Sequence, residues 1–334
     1  LFKPYFAFAY GLLKFDIFFI TCDGFFIGNS FLWRIQHYFF TLADKKVVVM
    51  PYGGDALVYK NIRALETTHA MNISYPEASR QQRFISNKLD YWVEKADVFI
   101  PGIMGPEAMG RWDVLTPSHL FIDLDEWMSS TKINHSNGKD KELVIVHAPN
   151  HRGVKGTEFI INAVNNLKRK GYKLELKLLE GLQNKEVKEI LINEADILVE
   201  QLNGRGYALN AIEGMASGLP VISNNQENDY MQLFRNYSFF NECPIVSTSI
   251  ESLEKTLELL IINSDLRKEL GICSRKYAEK YHGLDSSQYL FSSVIDFLNG
   301  KEKNLIDLFH PLKSDYVKRK PIIKPPLFEN KIIG

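Results

Sequence analysis

The segment at residues 195–224, ADILVEQLNGRGYALNAIEGMASGLPVISN, predicts a strand, a glycine-containing loop, a helix, a tight turn and a second strand. The aliphatic run at residues 197–199 predicts the first strand. The helix is predicted at residues 207–217, because Gly218 is suited to end a helix and Pro220 cannot continue one. This order of elements is typical of α/β proteins with a parallel sheet.

One carboxylate lies on the predicted buried face of this helix. Leu209, Ile212 and Ala216 follow the i, i+3, i+7 spacing of an apolar stripe. Glu213 falls on the same stripe, where a carboxylate is unfavourable unless another group satisfies it. Two interpretations stay open at this point: Glu213 binds a ligand hydroxyl at the sheet edge, or it forms an internal ion pair or a rim contact.

The composition limits the classes of protein that the chain can belong to. Its 334 residues, of which 45% are hydrophobic, suffice for the cores of two domains. Forty basic and forty acidic residues leave no net charge, so nothing global favours nucleic-acid binding. Charged residues interrupt the aromatic stretch at residues 1–33, so no transmembrane span is predicted there. The three cysteines lack metal-ligand spacing and indicate a reducing compartment, hence a cytoplasmic protein.

Strand-like runs alternate with helical patterns along the chain, which predicts parallel sheets covered by helices. The predicted strands are residues 15–20, 46–50, 98–100, 119–122, 143–147, 173–179, 197–199, 220–223 and 244–246. The clearest helix is predicted at residues 156–170, and further helices from residue 250 almost to residue 299. A polar, turn-rich segment at residues 129–142 predicts a linker between two α/β halves.

A second loop indicates an anion site. After the strand predicted at residues 143–147, the segment APNHRGVKGTEF (residues 148–159) leads into a helix. Helix N-termini attract anions, and Arg152 and Lys155 add positive charge beside this one. Open α/β sheets bind ligands at the carboxyl ends of their strands. The two loops together therefore suggest a nucleotide diphosphate whose ribose lies near Glu213.

These residues resemble the donor-binding half of GT-B glycosyltransferases and are most similar to the retaining glycosyltransferases of family 4. The resemblance rests on the strings EGMASGLPVI (residues 213–222) and KGT (residues 155–157), and it extends over residues 143–297. It implies an α/β fold of two Rossmann-like domains that face a cleft, with no metal cofactor. Elements that precede residue 50 in the family have no counterpart here, so the N-terminal domain is expected to be incomplete at its start.

The predicted organisation combines this resemblance with the linker and tail patterns. Its parts are an acceptor-side domain at 1–128, a linker at 129–142, a nucleotide-sugar-binding domain at 143–285, a helix at 286–300 that crosses back to the first domain, and a basic, proline-containing tail at 301–334. The tail is expected to be extended and to pack on the surface. Its basic block at residues 318–320 is expected to be solvated, with contact to an anionic membrane as the alternative.

The resemblance implies roles for residues of both loops. Glu213 matches the glutamate that binds the ribose, and Arg152 and Lys155 match the cations that neutralise the leaving diphosphate. The family has a second motif glutamate, which precedes the ribose-binding one by eight residues and contacts the donor sugar. Arg205 occupies that position here, so these donor-sugar contacts are in question, and we expect Arg205 to contact a phosphate instead. The full set of expected donor-binding residues is Glu213, Arg205, Gly206, Tyr207, Ala208, Leu209 and Asn210.

In the first half, the loop MPYGGD at residues 50–55 resembles the family's loop that faces the donor across the cleft. On this interpretation Tyr52, Gly53, Gly54 and Asp55 line the N-terminal side of the cleft, with Tyr52 where a histidine is common. The same residues also fit an ordinary turn, because Gly-Gly-Asp is common turn chemistry. Both interpretations stay open.

Two sequence patterns match metal-binding motifs but do not occur in the structural context that those motifs require. Asp123 and Asp125 form a D-x-D string after the last strand of the first half, where we expect a cap or a hinge. His147 and His151 are four residues apart but flank a strand end and a proline-containing loop, whereas zinc ligands at this spacing share one helix face. No metal site is predicted.

The resemblance implies an enzyme that moves a hexose-type sugar from a nucleotide-diphosphate sugar to a glycan or lipid-linked acceptor, with retention, in bacterial surface polysaccharide assembly. A lipid-linked acceptor implies a peripheral position at the inner face of the cell membrane. One alternative is a GT-B-fold sugar-nucleotide epimerase, for which the cleft sequence offers no clear acid/base set. The other is a non-catalytic nucleotide-sugar-binding subunit, which the substitution at Arg205 suggests.

Overall fold

The computed structural model describes residues 2–102, 106–127, 134–226, 228–319 and 321–331. Its strands are β1 (Ile17–Ile20), β2 (Lys46–Val49), β3 (Val98–Phe99), β4 (Leu143–His147), β5 (Leu174–Leu178), β6 (Ile197–Gln201), β7 (Val221–Ser223) and β8 (Val246–Ser247). Its α-helices are α1 (Lys3–Lys14), α2 (Gln36–Leu42), α3 (Leu65–Ser74), α4 (Pro76–Arg80), α5 (Gln82–Lys95), α6 (Pro106–Met109), α7 (Arg152–Lys155), α8 (Thr157–Arg169), α9 (Asn184–Asn193), α10 (Leu209–Ala216), α11 (Asn228–Tyr237), α12 (Leu253–Ile262), α13 (Ser264–Tyr281), α14 (Leu284–Leu298) and α15 (Asp315–Lys318).

The strands form two parallel sheets. The first, in the N-terminal half, has the order β1-β2-β3, and the second has the order β5-β4-β6-β7-β8. In the second sheet Ile145 on β4 lies opposite Leu176 on β5 and Ile197 on β6. Because the strand order reverses between β4 and β6, the carboxyl ends of these two strands flank a crevice, which is where open α/β sheets bind ligands.

The second sheet is buried on both faces, which explains why β4 is an unbroken aliphatic run. Successive side chains of a strand point to opposite faces of the sheet. Ile145 packs in the layer formed with α8 and α12, whereas Val146 packs in the layer formed with α9, α10 and α13. Strands of parallel sheets covered by helices on both sides have this continuous apolar pattern.

Helix α10 is held in place by a close approach of α13. A Cβ atom added at Gly271 of α13 would lie 2.2 Å from the carbonyl oxygen of Gly218, just after the end of α10. Nearby, Arg275 Nη1 donates a hydrogen bond of 2.8 Å to the carbonyl of Ala216. The position of α10, and hence of Glu213 on it, depends on this contact.

Contacts on two sides join the halves of the molecule. The ring of Phe291 on α14 packs on Phe19 of β1, with centroids 5.1 Å apart. On the other side, Thr67 Oγ1 on α3 donates a 2.7 Å hydrogen bond to the carbonyl of Asn203, in the loop after β6. Both the helix after the second domain and the loop of the second domain therefore touch the first half.

The structure corrects one sequence prediction about secondary structure and shows the contacts of part of the predicted linker. Residues 119–122, predicted as a strand, are not in a strand; instead the Ile122 N–H donates to the carbonyl of His282 at 2.9 Å. This segment is held by a contact from the residue that follows α13 rather than by a neighbouring strand. Of the predicted linker, residues 129–133 lie outside the described residues; Asn134 and Ser136 accept hydrogen bonds from the buried Arg267, which anchors this part to the second half.

The C-terminal tail is more deeply packed than predicted. Leu305, Phe309 and Val317 are buried in one apolar cluster with residues of α11 and α13. In the basic block, the Arg319 guanidinium lies 3.6 Å from the centroid of the Tyr316 ring, and Lys320 lies outside the described residues. The recurring large apolar residues of the tail give it a face that the second domain buries, so it is part of the core.

We expect Gly271→Ala to lower the free energy of unfolding by about 1–3 kcal/mol, because the added methyl meets backbone that has no room to move. Gly54→Ala is the matched control, since a Cβ there would meet nothing within 4 Å among the described residues. Urea unfolding followed by circular dichroism measures both changes. Equal stability of the two variants would contradict the close approach of α13 to α10.

Candidate active site

A cavity of about 540 Å³ lies between the two halves, at the carboxyl ends of β4 and β6. The first half contributes residues from three loops to its wall, and the second half contributes the loops after β4, β5 and β6 together with the start of α10. The lining residues used below are Pro51, Tyr52, Gly102, His119, Lys155, Asn184, Tyr207, Ala208, Leu209, Asn210 and Glu213. The cavity therefore brings together residues from both halves of the sequence.

Glu213 lies in the cavity wall with 6% of its surface exposed. Its Oε1 accepts a hydrogen bond from Asn184 Nδ2 at 3.1 Å, and its Oε2 accepts a longer one from Asn210 Nδ2 at 3.4 Å. Burial raises the pKa of this carboxyl above its usual 4.5, and the two amide donors counteract the shift in part. Within the described ranges no cation pairs with Glu213, so the ion-pair interpretation is wrong for this part of the chain.

Unlike the Glu213 carboxylate, two other features of the same wall lack hydrogen-bond partners among the described residues. Asn210 Oδ1 is buried and has no hydrogen-bond partner among the described residues. Helix α10 begins after Ala208 without a side-chain cap and without an acidic residue in its first turn. The first N–H groups of a helix lack intrahelical partners, and they attract anions. The wall thus combines hydrogen-bond acceptors with a helix N-terminus, an arrangement suited to a ligand that carries both hydroxyl groups and negative charge.

Lys155 lines the cavity next to α10 but is already paired. Its Nζ forms a buried ion pair with Glu200 and donates a hydrogen bond to Gln201 Oε1 at 3.1 Å. Glu200 Oε2 in turn lies 3.2 Å from Ser223 Oγ on β7. The pair connects the loop after β4 with the end of β6 and with β7. Lys155 therefore supplies structure as well as positive charge at this edge of the sheet.

Arg152 forms ion pairs on the outer side of its loop. Its Nε and Nη2 donate to the two carboxylate oxygens of Glu180 at 2.8 and 2.7 Å, and its Nη1 donates to Glu158 at 2.6 Å. The Arg152 guanidinium holds the pKa of Glu180 below its usual value. Arg152 is not among the residues that line the cavity. The predicted pair of phosphate cations is thus split, with Lys155 in the cavity wall and Arg152 beside it.

Arg205 and Gly206 also differ from their predicted positions. The Arg205 guanidinium lies 4.7 Å from the centroid of the Tyr230 ring on α11, away from the cavity wall. Gly206 has a left-handed φ of +68° and its carbonyl accepts a hydrogen bond from Ser223 Oγ at 2.5 Å. Gly206 shapes the loop that presents Tyr207 and Ala208 to the cavity, and Arg205 packs on the neighbouring helix.

The loop after β2 proves to be a turn that presents one residue to the cavity. Asp55 Oδ1 accepts from the Tyr52 N–H at 3.0 Å and its Oδ2 accepts from the Cys22 N–H at 2.9 Å. Gly53 and Gly54 do not line the cavity, whereas Tyr52 does and is 68% exposed. Asp55 therefore closes a turn, and this turn places Tyr52, but not Gly53, Gly54 or Asp55, at the cavity wall.

Several residues of the wall were not predicted from the sequence, among them His119 and Asn184. His119 belongs to a stretch whose pattern favours a strand, and Asn184 begins α9 at a sequence separation of 29 from the carboxylate that it contacts. Tyr207 was predicted, but its buried contacts were not: its hydroxyl lies 3.0 Å from Tyr277 Oη and 3.1 Å from His282 Nε2. These contacts are long-range, so local patterns carry no signal for them.

The residues of the two motifs that resemble metal sites form hydrogen bonds within the protein. Asp123 Oδ1 accepts a hydrogen bond from the Asp125 N–H at 3.0 Å, as in a turn. His147 forms hydrogen bonds through Nδ1 with the carbonyl of Val199 and through Nε2 with Thr157 Oγ1. His151 Nδ1 is hydrogen-bonded to the Tyr75 hydroxyl. Across the described ranges no cluster of three or more histidine, cysteine or acidic residues is arranged to hold a metal ion. In the same ranges, no helix has the length and apolar character that a membrane span requires.

Solved structures with the same arrangement of elements share about 12% sequence identity with this chain. Sucrose-phosphate synthase from Thermosynechococcus elongatus matches with 12% identity and a TM-score of 0.57, over 88% of this chain and 76% of that one. Anabaena HepE, solved in complex with UDP-glucose, matches with 12% identity and a TM-score of 0.55, over 88% and 82%. A glycosyltransferase from Rickettsia africae matches with 12% identity and a TM-score of 0.50, over 89% and 80%.

These similarities define the class of fold. The chain has the GT-B fold, in which two Rossmann-like α/β domains face each other across a cleft, and this prediction from the sequence is confirmed. Of the three structures, the one from Rickettsia africae is of a glycosyltransferase. No protein-family model matches the sequence, and a comparison with curated proteins finds no significant match.

We expect Glu200→Gln to lower the free energy of unfolding by about 3 kcal/mol, because it leaves the buried Lys155 ammonium without its counter-charge. Glu180→Gln is the control, since it removes a carboxylate from the exposed pair with Arg152 and such pairs contribute little. Chemical denaturation of both variants gives the comparison. A loss for Glu200→Gln no larger than the loss for Glu180→Gln would contradict a structural role for the buried pair.

The raised pKa of Glu213 predicts a pH-dependent stability. A carboxyl whose pKa is higher in the folded state than in the unfolded state stabilises the fold in its protonated form. This stabilisation is fully present at pH values below the usual pKa of 4.5, and it is lost as the pH rises through the folded-state pKa. Glu213→Gln stays neutral, so it should become more stable than the wild type as the pH rises through that window. Unfolding of both proteins between acidic and neutral pH measures the difference; a difference that does not change with pH would contradict the prediction.

Proposed function

We propose that this protein is a glycosyltransferase that moves a sugar from a nucleotide-diphosphate sugar to a glycan or lipid-linked acceptor. In this proposal residues 143–285 bind the donor, residues 1–128 face the acceptor, and a helix at 286–300 joins the two. The finer assignments are a retaining, hexose-transferring enzyme of family 4 that acts in bacterial surface polysaccharide assembly. A lipid-linked acceptor would bring the enzyme to the inner face of the cell membrane.

One observation carries the proposal: the cavity wall holds carboxylate and amide oxygens beside a helix N-terminus, and one of these oxygens, Asn210 Oδ1, has no hydrogen-bond partner among the described residues. Glu213 and Asn210 offer carboxylate and amide oxygens, and α10 offers N–H groups at Leu209. Hydroxyl groups of a ribose and a sugar would donate to these oxygens, and a diphosphate would accept from the helix N-terminus. A nucleotide-diphosphate sugar carries both kinds of group in one molecule.

Leu179, Leu182 and Val187 provide an apolar part of the same wall, after β5 and at the start of α9. Ligand pockets combine such apolar surface with a few polar groups that orient the ligand. We assign the apolar part to the nucleotide base and Glu213 to the ribose. This order along the wall leaves the diphosphate next to Lys155 and the start of α10.

The cations have different roles in the proposed reaction. Glycosyl transfer builds positive charge at the anomeric carbon and negative charge on the departing phosphate, so fixed positive groups stabilise the transition state more than the ground state. Lys155 and the N–H groups of α10 take this role from the cavity wall. Arg152 would join them after exchanging one of its carboxylate partners, Glu180 or Glu158, for a phosphate oxygen.

The structural comparisons support the substrate class. Anabaena HepE, with the same fold, was solved in complex with UDP-glucose and, in a second structure, with UDP and glucose. Those complexes support a nucleotide sugar as the donor and a sugar as the acceptor here. The proposal involves no metal cofactor, because ammonium and N–H groups take the charge of the leaving group.

We expect Glu213→Ala to weaken binding of the donor about 10- to 100-fold, because the ribose hydroxyl groups would lose their hydrogen bonds to the buried carboxylate of Glu213. Calorimetry with UDP-, GDP- and ADP-glucose measures donor binding, and nucleotide release with and without a glycan acceptor measures transfer. Glu189→Ala, at an exposed position of α9, is the matched control and should bind as the wild type does.

Three results would contradict the proposal. Unchanged donor binding by Glu213→Ala would remove the ribose assignment. Conversion of the nucleotide sugar without any acceptor would favour the epimerase, and binding without turnover of any kind would favour a non-catalytic subunit. Acceptor-dependent release of the nucleotide, lost together with donor affinity in Glu213→Ala, is the result that we expect.

A further inference from the structure

We propose that Ser74 is a positioning residue for the donor's diphosphate: from the first half of the chain it caps α7, the short helix that carries Lys155. The inference rests on the proposed function, in which Lys155 and the start of α10 receive the diphosphate. Ser74 is the last residue of α3 and is not among the residues that line the cavity. It carries no part of the resemblance to family 4 described above.

Helix α7 is too short to hold its shape alone. It comprises only the four residues Arg152–Lys155, whereas isolated helices shorter than about 12 residues are marginal in water. The residue before it, His151, forms no side-chain hydrogen bond to the helix. The first N–H groups of a helix have no partner within the helix. Those of α7 therefore need partners from elsewhere, and the position of Lys155 depends on what supplies them.

Ser74 supplies such a partner from the other half of the molecule. Its Oγ accepts a hydrogen bond from the Val154 N–H at 3.1 Å, across a sequence separation of 80 residues. The neighbouring Tyr75 engages the side chain of His151, with its hydroxyl 3.0 Å from Nδ1. The end of α3 thus caps α7 one residue before Lys155.

The approach of α3 to α7 is close enough to require a glycine. A Cβ atom added at Gly153 would lie 2.7 Å from Ser74 Oγ and 3.1 Å from the carbonyl oxygen of Ala70. The next residue, Val154, packs against an apolar cluster of the first half, which contains Leu57, Tyr59, Ile62 and Met71. Helix α7 is therefore seated on the first half by packing as well as by a hydrogen bond.

The same helix α3 also holds the second loop of the site. Thr67 Oγ1 donates to the carbonyl of Asn203, in the loop that leads from β6 to the start of α10. Asn203 Nδ2 in turn donates to the carbonyl of Gly153 at 2.7 Å. Because Lys155 and the N–H groups of α10 both face the diphosphate in the proposal, α3 fixes their relative position from outside the cavity wall.

The base and ribose are assigned to a part of the wall that these contacts do not reach. Glu213 is bonded to Asn184 on α9 and to Asn210 on α10, and the apolar surface for the base follows β5. Loss of the cap on α7 should therefore weaken the contribution of the diphosphate and leave that of the nucleoside unchanged. A general loss of structure would weaken both.

Two substitutions on α3 test this role. Ser74→Ala removes the cap, and Thr67→Val removes the bond to the second loop. Ser79→Ala is the matched control, because the Ser79 hydroxyl donates to the carbonyl of Pro76 within α4. Displacement calorimetry compares the binding of UDP, GDP or ADP, whichever the wild type binds, with that of its nucleoside. Hydrogen exchange of residues 65–74 follows α3 in the wild type with each ligand.

We expect the nucleoside to bind all four proteins equally. The additional affinity from the diphosphate should fall about fivefold in Ser74→Ala, as for one neutral hydrogen bond, and by a smaller factor in Thr67→Val, which acts through Asn203. It should stay unchanged in Ser79→Ala. The diphosphate, but not the nucleoside, should slow hydrogen exchange in α3, because the ligand and the α3 contact stabilise the same position of α7.

Other results overturn the inference. An equal loss of nucleoside and diphosphate affinity in Ser74→Ala would show a general structural effect. Hydrogen exchange in α3 that the diphosphate does not alter would show that α3 does not position α7 for the ligand. If the wild type binds none of the nucleoside diphosphates, the proposed function fails and this inference fails with it; binding by the wild type with no effect at Ser74 removes the inference alone.

Discussion

The buried ion pair between Lys155 and Glu200 is the interaction on which the geometry of the site depends. It joins the loop after β4 to the end of β6, the two strands between which the order of the sheet reverses. Gln201 extends the connection, because it accepts from Lys155 and donates to the carbonyl of Arg205 at 2.9 Å. Two loops far apart in sequence are thereby held at one edge of the sheet, and the start of α10 is placed between them and the first half.

The arrangement has an energetic consequence for the ligand-free protein. Buried acceptors without donors are unfavourable, and the wall holds two such atoms among the described residues, Asn210 Oδ1 and His119 Nδ1. Sites that bind polar ligands do retain them, because a ligand with matching donors gains the hydrogen bonds that the fold leaves open. A ligand that binds the folded state in this way also stabilises it.

Local sequence patterns were sufficient to predict the parts of the site that are formed within one short segment of the chain. The spacing of apolar residues in residues 209–216 placed Glu213 on a helix at the sheet edge, and glycine and proline marked where that helix ends. Local sequence patterns did not predict the contacts of side chains whose partners are distant in sequence. Nothing near Arg152 shows that it pairs with Glu180, and nothing near His119 shows that the segment leaves the sheet to line a cavity.

The walls of the cavity belong to both halves, so its shape depends on how the halves meet. Tyr207 in the wall is linked through His282 to the carbonyl of Leu120, beside His119, and the loop after β6 is bonded to Thr67 on α3. A ligand that engages acceptors on both walls binds this arrangement better than one with the halves apart. Such differential affinity is what shifts a conformational equilibrium, so a nucleotide sugar that contacts both walls would favour the closed cavity more strongly than the nucleotide diphosphate does.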